Sequence, residues 1–128
     1  MTDTFHSSQP IYTQLAERIK RQILRGELKP GDKLPSVREM GIQVSVNPNT
    51  VQRTYRELEG MGIVETRRGQ GTFVTEEQEV LQQMREELKQ EEISQFVKGM
   101  HEMGYSDQEI EVGLQAFLLS GKGTNNND

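Results

Sequence analysis

The sequence contains no cysteine, no tryptophan and only 5% aromatic residues. Without thiols, the chain can form no disulfide, no thiol nucleophile and no Cys-ligated metal site, which fits an intracellular protein. No stretch approaches the roughly 18 consecutive apolar residues that a membrane-spanning helix requires. The polar residues 1–10 also lack the apolar core of a signal peptide. We therefore expect a cytoplasmic protein with no membrane partner.

Hydrophobic residues and catalytic groups are both scarce. Only 32% of the 128 residues are hydrophobic, so the core is small and another chain would complete part of its apolar surface. Neither His6 nor His101 has a second histidine beside it, and no Gly-rich phosphate loop follows a predicted strand. We expect no enzyme activity, no catalytic residue, no metal and no cofactor.

The formal net charge of −5, taken over the whole chain, argues against a polyanionic partner. The charge is, however, divided unevenly along the chain. Residues 1–75 contain 11 Lys and Arg against 8 Asp and Glu, a balance of +3. Residues 76–128 contain 4 against 12, a balance of −8. The asymmetry predicts a boundary at Thr75 and leaves the first part free to bind a polyanion. Two solvated charged surfaces are the simpler alternative.

An amphipathic helix is predicted over residues 10–25. Apolar residues recur there at intervals of four, as one buried helical face requires. Gly26 follows, and it can end the helix in a left-handed conformation. The next segment is rich in Pro and Gly, which predicts a turn with one short strand around Lys33 and Leu34.

Two further helices are predicted close together. Ser36 lies three residues before Glu39, and this capping box starts a short second helix. Asn47 followed by Pro48 is a favourable start for a third helix over residues 48–61. Two helices joined by a turn of about four residues form a helix-turn-helix.

The third predicted helix carries polar groups on the face opposite its apolar residues. Asn49, Arg53 and Arg56 project there, and Thr50 and Gln52 lie beside them. Amides, hydroxyls and guanidinium groups match base edges and phosphates in a major groove. An ordinary exposed helix face is the simpler alternative.

A β-hairpin is predicted over residues 63–74, because two β-prone runs flank a Gly-rich tip. The tip contains Arg67 and Arg68, followed by Gly69 and Gln70. Two adjacent cations would repel each other in a purely structural hairpin, but they would bind phosphates or a minor groove. A hairpin directly after a recognition helix is a wing.

Two helices are predicted in the acidic part of the chain. The apolar stripe slips by one residue between Leu88 and Ile93, so the first helix either kinks near residues 91–94 or carries a stripe that drifts around it. Ser106 and Glu109 form a second capping box, which starts the last helix.

The acidic segment is too short to bury a core of its own, so we expect two copies to pack as a C2 homodimer. The expected interface residues are Leu81, Met84, Leu88, Phe96, Val97, Met100, Ile110, Leu114, Phe117 and Leu118. The methionines, with Met103, either fill this core or line an adaptable ligand pocket.

The predicted fold class is therefore mainly α with a small β wing. An N-terminal winged helix-turn-helix occupies residues 10–75, and a C-terminal two-helix dimerisation region occupies residues 76–120. A flexible arm over residues 1–9 precedes them, and a disordered tail over residues 121–128 follows.

Residues 9–75 resemble the GntR-type winged helix-turn-helix transcription regulators. The resemblance is carried by the runs PIY at 10–12, GELKPGDKLPSVRE at 26–39, VNPNTV at 46–51, GIV at 62–64 and RRGQGTFV at 67–74. The NPNTV run and the short second half are similar to the YtrA subfamily, in which a small helical dimerisation region replaces a large effector domain.

The resemblance implies DNA contacts at the positions that match the family. Arg38 would contact phosphate or a base at the groove edge, Asn49 and Thr50 would lie in the recognition helix, and Gly69 would enter the minor groove. Together with the residues discussed above, the expected DNA contacts are Ser36, Arg38, Asn47, Asn49, Thr50, Gln52, Arg53, Arg56, Arg67, Arg68, Gly69 and Gln70.

The sequence departs from the family pattern in two places. Many relatives have an Arg where Pro48 and Gln52 stand, so their base readout does not transfer and the operator sequence stays open. Ser45 and Gly41 replace the Gly and Ala that are usual around the turn between the two helices. This exchange predicts a turn that is less well formed but not abolished.

The resemblance implies a homodimeric repressor that binds double-stranded DNA at an inverted-repeat operator, with transporter operons as targets. The second half is too small for the ligand domain of larger relatives. A small-molecule effector, if one exists, would bind between the two halves or at the dimer interface. The alternative function is a winged-helix module that binds an acidic protein partner without sequence-specific DNA binding.

Overall fold

The computed structural model describes residue 5 and residues 8–121, which form five α-helices and one two-stranded antiparallel sheet. The elements are α1 (Ile11–Leu24), α2 (Val37–Val44), α3 (Pro48–Gly60), β1 (Val64–Arg67), β2 (Gly71–Val74), α4 (Gln78–Glu102) and α5 (Asp107–Leu119). The predicted fold class is confirmed. The predicted arm and tail lie outside the described residues, except for Phe5, Ser8, Gln9 and Gly121.

The chain divides into two compact units, residues 1–85 and residues 86–128. This division falls inside α4, whereas the charge pattern places a boundary at Thr75. The functional boundary at Thr75 stays a prediction. Within the described part of the chain, no helix is both long and apolar enough to cross a membrane.

The first unit has a well-buried core around α3. Both α1 and α2 pack against α3, and β1 packs against its end. The largest core side chains, each at most 2% exposed, are Leu15, Ile19, Leu34, Val51, Leu58, Val64 and Val74. This core fixes the positions of the helix-turn-helix and the wing.

Side-chain caps define where both helices of the helix-turn-helix begin. Ser36 Oγ accepts the backbone N–H of Glu39 at 3.1 Å, and a Glu39 carboxylate oxygen accepts the N–H of Ser36 at 2.9 Å. Asn47 Oδ1 accepts the N–H of Asn49 at 2.7 Å, and Pro48 occupies the first turn of α3. Both predicted helix starts are confirmed.

The turn between α2 and α3 is present, and a turn less well formed than that of relatives stays a prediction. Ser45 adopts the left-handed conformation that glycine usually supplies, with φ 58° and ψ 49°. The N–H of Val46 donates to the carbonyl oxygen of Gly41 at 2.9 Å. A Cβ on Gly41 would lie 2.6 Å from the carbonyl oxygen of Val46. The missing side chain of Gly41 therefore makes room for the turn.

The wing forms as predicted. Strand β1 pairs with β2 in the register Val64 to Val74 and Arg67 to Gly71. Gly69 lies between the strands with a φ of 74°, a left-handed value that favours glycine. The short strand expected around Lys33 is a single bridge to β2.

The second unit contains the continuous C-terminal part of α4, followed by α5. Helix α4 continues through residues 91–94, and the choice between a kink and a drifting stripe stays open. The predicted capping box at Ser106 is present, with the N–H of Glu109 donating to Ser106 Oγ at 3.2 Å. Between the helices, His101 Nε2 lies 2.6 Å from Asp107 Oδ1.

Candidate nucleic-acid interface

Helix α3 has one buried face and one exposed polar face. Val51, Thr54, Tyr55 and Leu58 are buried, and Thr50 is half-buried at the edge of the surface. A shallow concave surface is lined by Asn49, Gln52, Arg53, Arg56, Glu57, Gly60 and Met61. The structure thus brings four of the five α3 residues expected from the sequence onto one open surface.

Two buried hydroxyls hold α3 in place. Thr54 Oγ1 donates to the carbonyl oxygen of Thr50 at 2.9 Å, inside the helix. The Tyr55 hydroxyl donates to the carbonyl oxygen of Pro35 at 2.7 Å, in the segment just before α2. Burial, and secondarily the negative charge of Glu39, raise the pKa of the Tyr55 phenol, which keeps this donor protonated. Tyr55 therefore ties α3 to the segment that leads into α2.

The Arg53 guanidinium is stacked on an aromatic ring of α1. Its Cζ lies 3.7 Å from the centre of the Tyr12 ring. A cation over an aromatic face is stabilised by about 0.5–1 kcal/mol at an exposed site. Stacking restricts the side chain of Arg53, and the edge of a stacked guanidinium can still donate hydrogen bonds.

The residues at the helix starts are partly engaged in capping. Asn47 Oδ1 caps α3, and the NH₂ group of the same amide has two further donors. Ser36 Oγ accepts one bond and keeps its hydroxyl proton for a phosphate oxygen. Arg38, on α2, is exposed, and no carboxylate of the described residues pairs with it. Its full charge is therefore available to a phosphate.

The two arginines of the wing differ in their surroundings. Arg68 is exposed at the tip with Gly69 and Gln70. The Arg67 guanidinium, by contrast, lies 2.9 Å from a carboxylate oxygen of Glu65 and 4.1 Å from the centre of the Phe73 ring. Arg68 therefore offers more unneutralised charge at the tip than Arg67.

Sequence reasoning missed Tyr12 and Glu65 as partners of the candidate DNA contacts. The pairing of Glu65 with Arg67 could have been found, because residues i and i+2 of a strand lie on the same face. The stacking of Tyr12 on Arg53 depends on the packing of α1 against α3, and no local pattern in the sequence indicates it.

The ten expected dimer-interface residues differ in exposure within the single chain. Met84 and Ile110 are already buried, at 4% and 7% exposure. The others are exposed or half-buried and are available to a partner: Leu81, Leu88, Phe96, Val97, Met100, Leu114, Phe117 and Leu118.

Comparison with known proteins identifies the family. The model of the bacterial regulatory proteins of the gntR family matches residues 11–74, from the start of α1 to the end of the wing. The chain belongs to the GntR family. It is accordingly a DNA-binding transcription regulator and not an enzyme.

The similarity to known proteins extends beyond the winged helix. This chain is 52% identical to YhcF, an uncharacterized HTH-type transcriptional regulator of Bacillus subtilis. The match covers 94% of this chain and 100% of YhcF. It is 38% identical to the transcriptional repressor YtrA of the same organism, over 95% of both chains. The small size predicted from the YtrA resemblance is thus shared by full-length relatives.

A solved structure is similar to most of this chain. A GntR-family transcriptional regulator from Listeria monocytogenes is 35% identical to this chain and superimposes with a TM-score of 0.80. The match covers 88% of this GntR-family chain and 98% of the Listeria chain.

Proposed function

We propose that this regulator is a homodimeric repressor that binds an inverted-repeat operator. In this proposal α3 contacts the bases, and α2 and the wing contact the adjacent DNA backbone. The observation that carries the proposal is the exposed polar surface of α3, where Asn49, Gln52 and Arg53 lie together on a helix with a buried opposite face. The similarity to YtrA, a repressor, supports repression. The proposed targets are transporter operons, on the ground of the resemblance to the YtrA subfamily.

The candidate contacts divide into two chemical groups. Asn49, Thr50 and Gln52 carry the amide and hydroxyl groups that suit base edges, so they are proposed to read sequence. The remaining residues are proposed to bind phosphate or sugar and to fix the register: Ser36, Arg38, Asn47, Arg53, Arg56, Arg67, Arg68, Gly69 and Gln70.

The homodimer is proposed from the exposed apolar residues of the second unit. Phe96, Leu114, Phe117 and Leu118 are each 43–59% exposed in the single chain. Burying them against a second copy would remove this apolar surface from water. A C2 dimer would also present two recognition helices to two half-sites of an operator.

Selection of binding sites from a pool of random DNA duplexes tests the function. The full chain should enrich an inverted repeat whose half-sites are centred about 10 base pairs apart, or a multiple of that spacing. An unenriched pool at moderate salt would instead favour the winged-helix module that binds an acidic protein.

Two variants then separate the proposed roles. Asn49→Ala should relax preference at one base position, at a cost of about 1–3 kcal/mol for the preferred base. Arg38→Ala should weaken binding to all sequences equally and make the negative slope of log affinity against log salt less steep by about 1. A uniform loss for Asn49→Ala, or an unchanged slope for Arg38→Ala, would contradict the respective assignment.

A further inference from the structure

A lysine outside the expected DNA-binding set lies beside the wing. The segment over residues 31–34 pairs along the edge of β2 that β1 leaves open, and the N–H of Leu34 donates to the carbonyl oxygen of Thr72 at 2.7 Å. Lys33 lies directly opposite Phe73 in this pairing. Strand β2 is therefore flanked on both sides, and Lys33 is part of the wing.

The Lys33 side chain belongs to the outer face of this small sheet. Leu34 and Val74 are buried, at 2% and 0% exposure. Side chains alternate along extended chains, so Lys33 and Phe73 project to the opposite face, and Lys33 is exposed. Gly71 lies on the same face as Phe73, one pleat nearer the tip of the hairpin.

Gly71 allows Lys33 to extend towards the tip. A Cβ on Gly71 would lie 2.7 Å from Lys33 Cε and 3.6 Å from Lys33 Nζ. The aliphatic stem of Lys33 thus crosses the bare backbone of Gly71, and its ammonium group reaches the residue that directly follows Gln70 of the tip. The glycine also has a φ of 124°, which disfavours any other residue there.

Lys33 differs in its charge pairing from Arg67, the other cation on the same face of the sheet. Glu65 engages the Arg67 guanidinium at 2.9 Å and 3.1 Å. No carboxylate within the described ranges pairs with Lys33. The ammonium of Lys33 therefore retains a full positive charge at the base of a tip that also carries the exposed Arg68.

We propose that Lys33 is a further DNA-binding residue, which crosses Gly71 and neutralises a phosphate of the DNA backbone beside the wing tip. This proposal rests on the proposed mode of DNA binding. A lysine used in this way binds as a point charge, so it adds affinity for every sequence and no base preference.

The test compares Lys33→Gln with the wild-type full chain on a random-sequence duplex of about 30 base pairs, by anisotropy over a range of salt concentrations. Loss of one phosphate contact should make the negative slope of log affinity against log salt less steep by about 0.9 and weaken binding about fivefold near 0.15 M salt. Lys33→Arg keeps the charge and should keep the slope. Because Lys33 is exposed, the unfolding temperature should not change.

Lys29→Gln is the matched control, because it removes the same charge from the same turn. Gly31 and Lys29 lie towards Val74, at the end of β2 remote from the tip, so Lys29→Gln should leave the slope unchanged. An unchanged slope in Lys33→Gln, or an equal change in both variants, would overturn the role of Lys33. A wild-type chain without salt-dependent binding would instead overturn the proposed mode of DNA binding.

Discussion

The two compact units of the chain differ in how they bury apolar side chains. The winged-helix unit encloses its own core, in which Leu15, Ile19, Val51 and Leu58 are fully buried. In residues 86–128, Ile110 is buried at 7% exposure, but most large apolar side chains are exposed. These are Ile93, Phe96, Met103, Tyr105, Val112, Leu114, Phe117, Leu118 and Leu119.

This difference indicates that the units gain stability from different sources. The first unit has a core, caps and a sheet that hold its DNA-binding surface within one chain. The second unit leaves apolar surface that a single copy does not cover, which is the expected condition of a dimerisation element. Substitutions in the core of the first unit should therefore alter stability at constant oligomeric state, and substitutions at the proposed interface residues of the second unit should alter association.

The largest effect is expected when the dimer is broken. Replacing both Leu114 and Phe117 with Glu places two carboxylates in the proposed apolar interface, where burying them unpaired is costly. We expect a monomer with an intact winged helix and about 100-fold weaker binding to the inverted-repeat operator, since the two half-sites no longer act together. Sedimentation velocity and operator titration measure the two effects.

Val112→Glu is the control for this double variant. Val112 is 58% exposed and lies on the side of α5 opposite Leu114 and Phe117. It should leave the dimer and the operator affinity intact. A double variant that still sediments as a dimer would refute the proposed interface.

The second largest effect is expected at the turn of the helix-turn-helix. Gly41→Ala would place its Cβ 2.6 Å from the carbonyl oxygen of Val46, so it should lower the free energy of unfolding by about 1–3 kcal/mol. Chemical denaturation measures this change. Gly60→Ala is the control, because nothing lies within 4 Å of its Cβ position. Equal stability of the two variants would show that the turn tolerates a side chain.

Local signals in the sequence predict most of the winged-helix unit. The capping box at Ser36, the Asn47 N-cap and the glycines of the hairpin each act over a few residues, and all of them are present in the structure. The exposed face of α3 follows from helical periodicity alone.

Features that depend on contacts between distant segments could not be predicted in this way. The close approach of Gly41 to the Val46 carbonyl oxygen is a property of the folded turn, and no local pattern in the sequence indicates it. The path of Lys33 over Gly71 depends on the pairing of the segment 31–34 with β2, which the sequence placed only as a short strand of unknown partner.

The smallest effect on stability is expected when Tyr55, a buried residue of the first unit, is replaced with Phe. Tyr105, an exposed residue of the second unit, provides the comparison. Tyr55→Phe removes the hydrogen bond to the carbonyl oxygen of Pro35, so it should cost about 1 kcal/mol of unfolding free energy near pH 7. Burial raises the pKa of the Tyr55 phenol above its ordinary value of 10.0. Above that pH the unfolded chain loses the proton before the folded chain does, so the stability that the neutral phenol contributes is present below pH 10.0 and is lost as the pH rises.

The stability gap between wild type and Tyr55→Phe should therefore narrow in alkaline solution, because only the wild type loses stability through this phenol. Urea denaturation at neutral pH and above pH 10.0 measures the gap. Tyr105→Phe is the control, since Tyr105 is 44% exposed in the second unit, and it should leave the free energy of unfolding unchanged at both pH values. A gap for Tyr55→Phe that stays constant with pH would show that ionisation of Tyr55 is not coupled to unfolding, and that its hydroxyl matters only as a donor to Pro35.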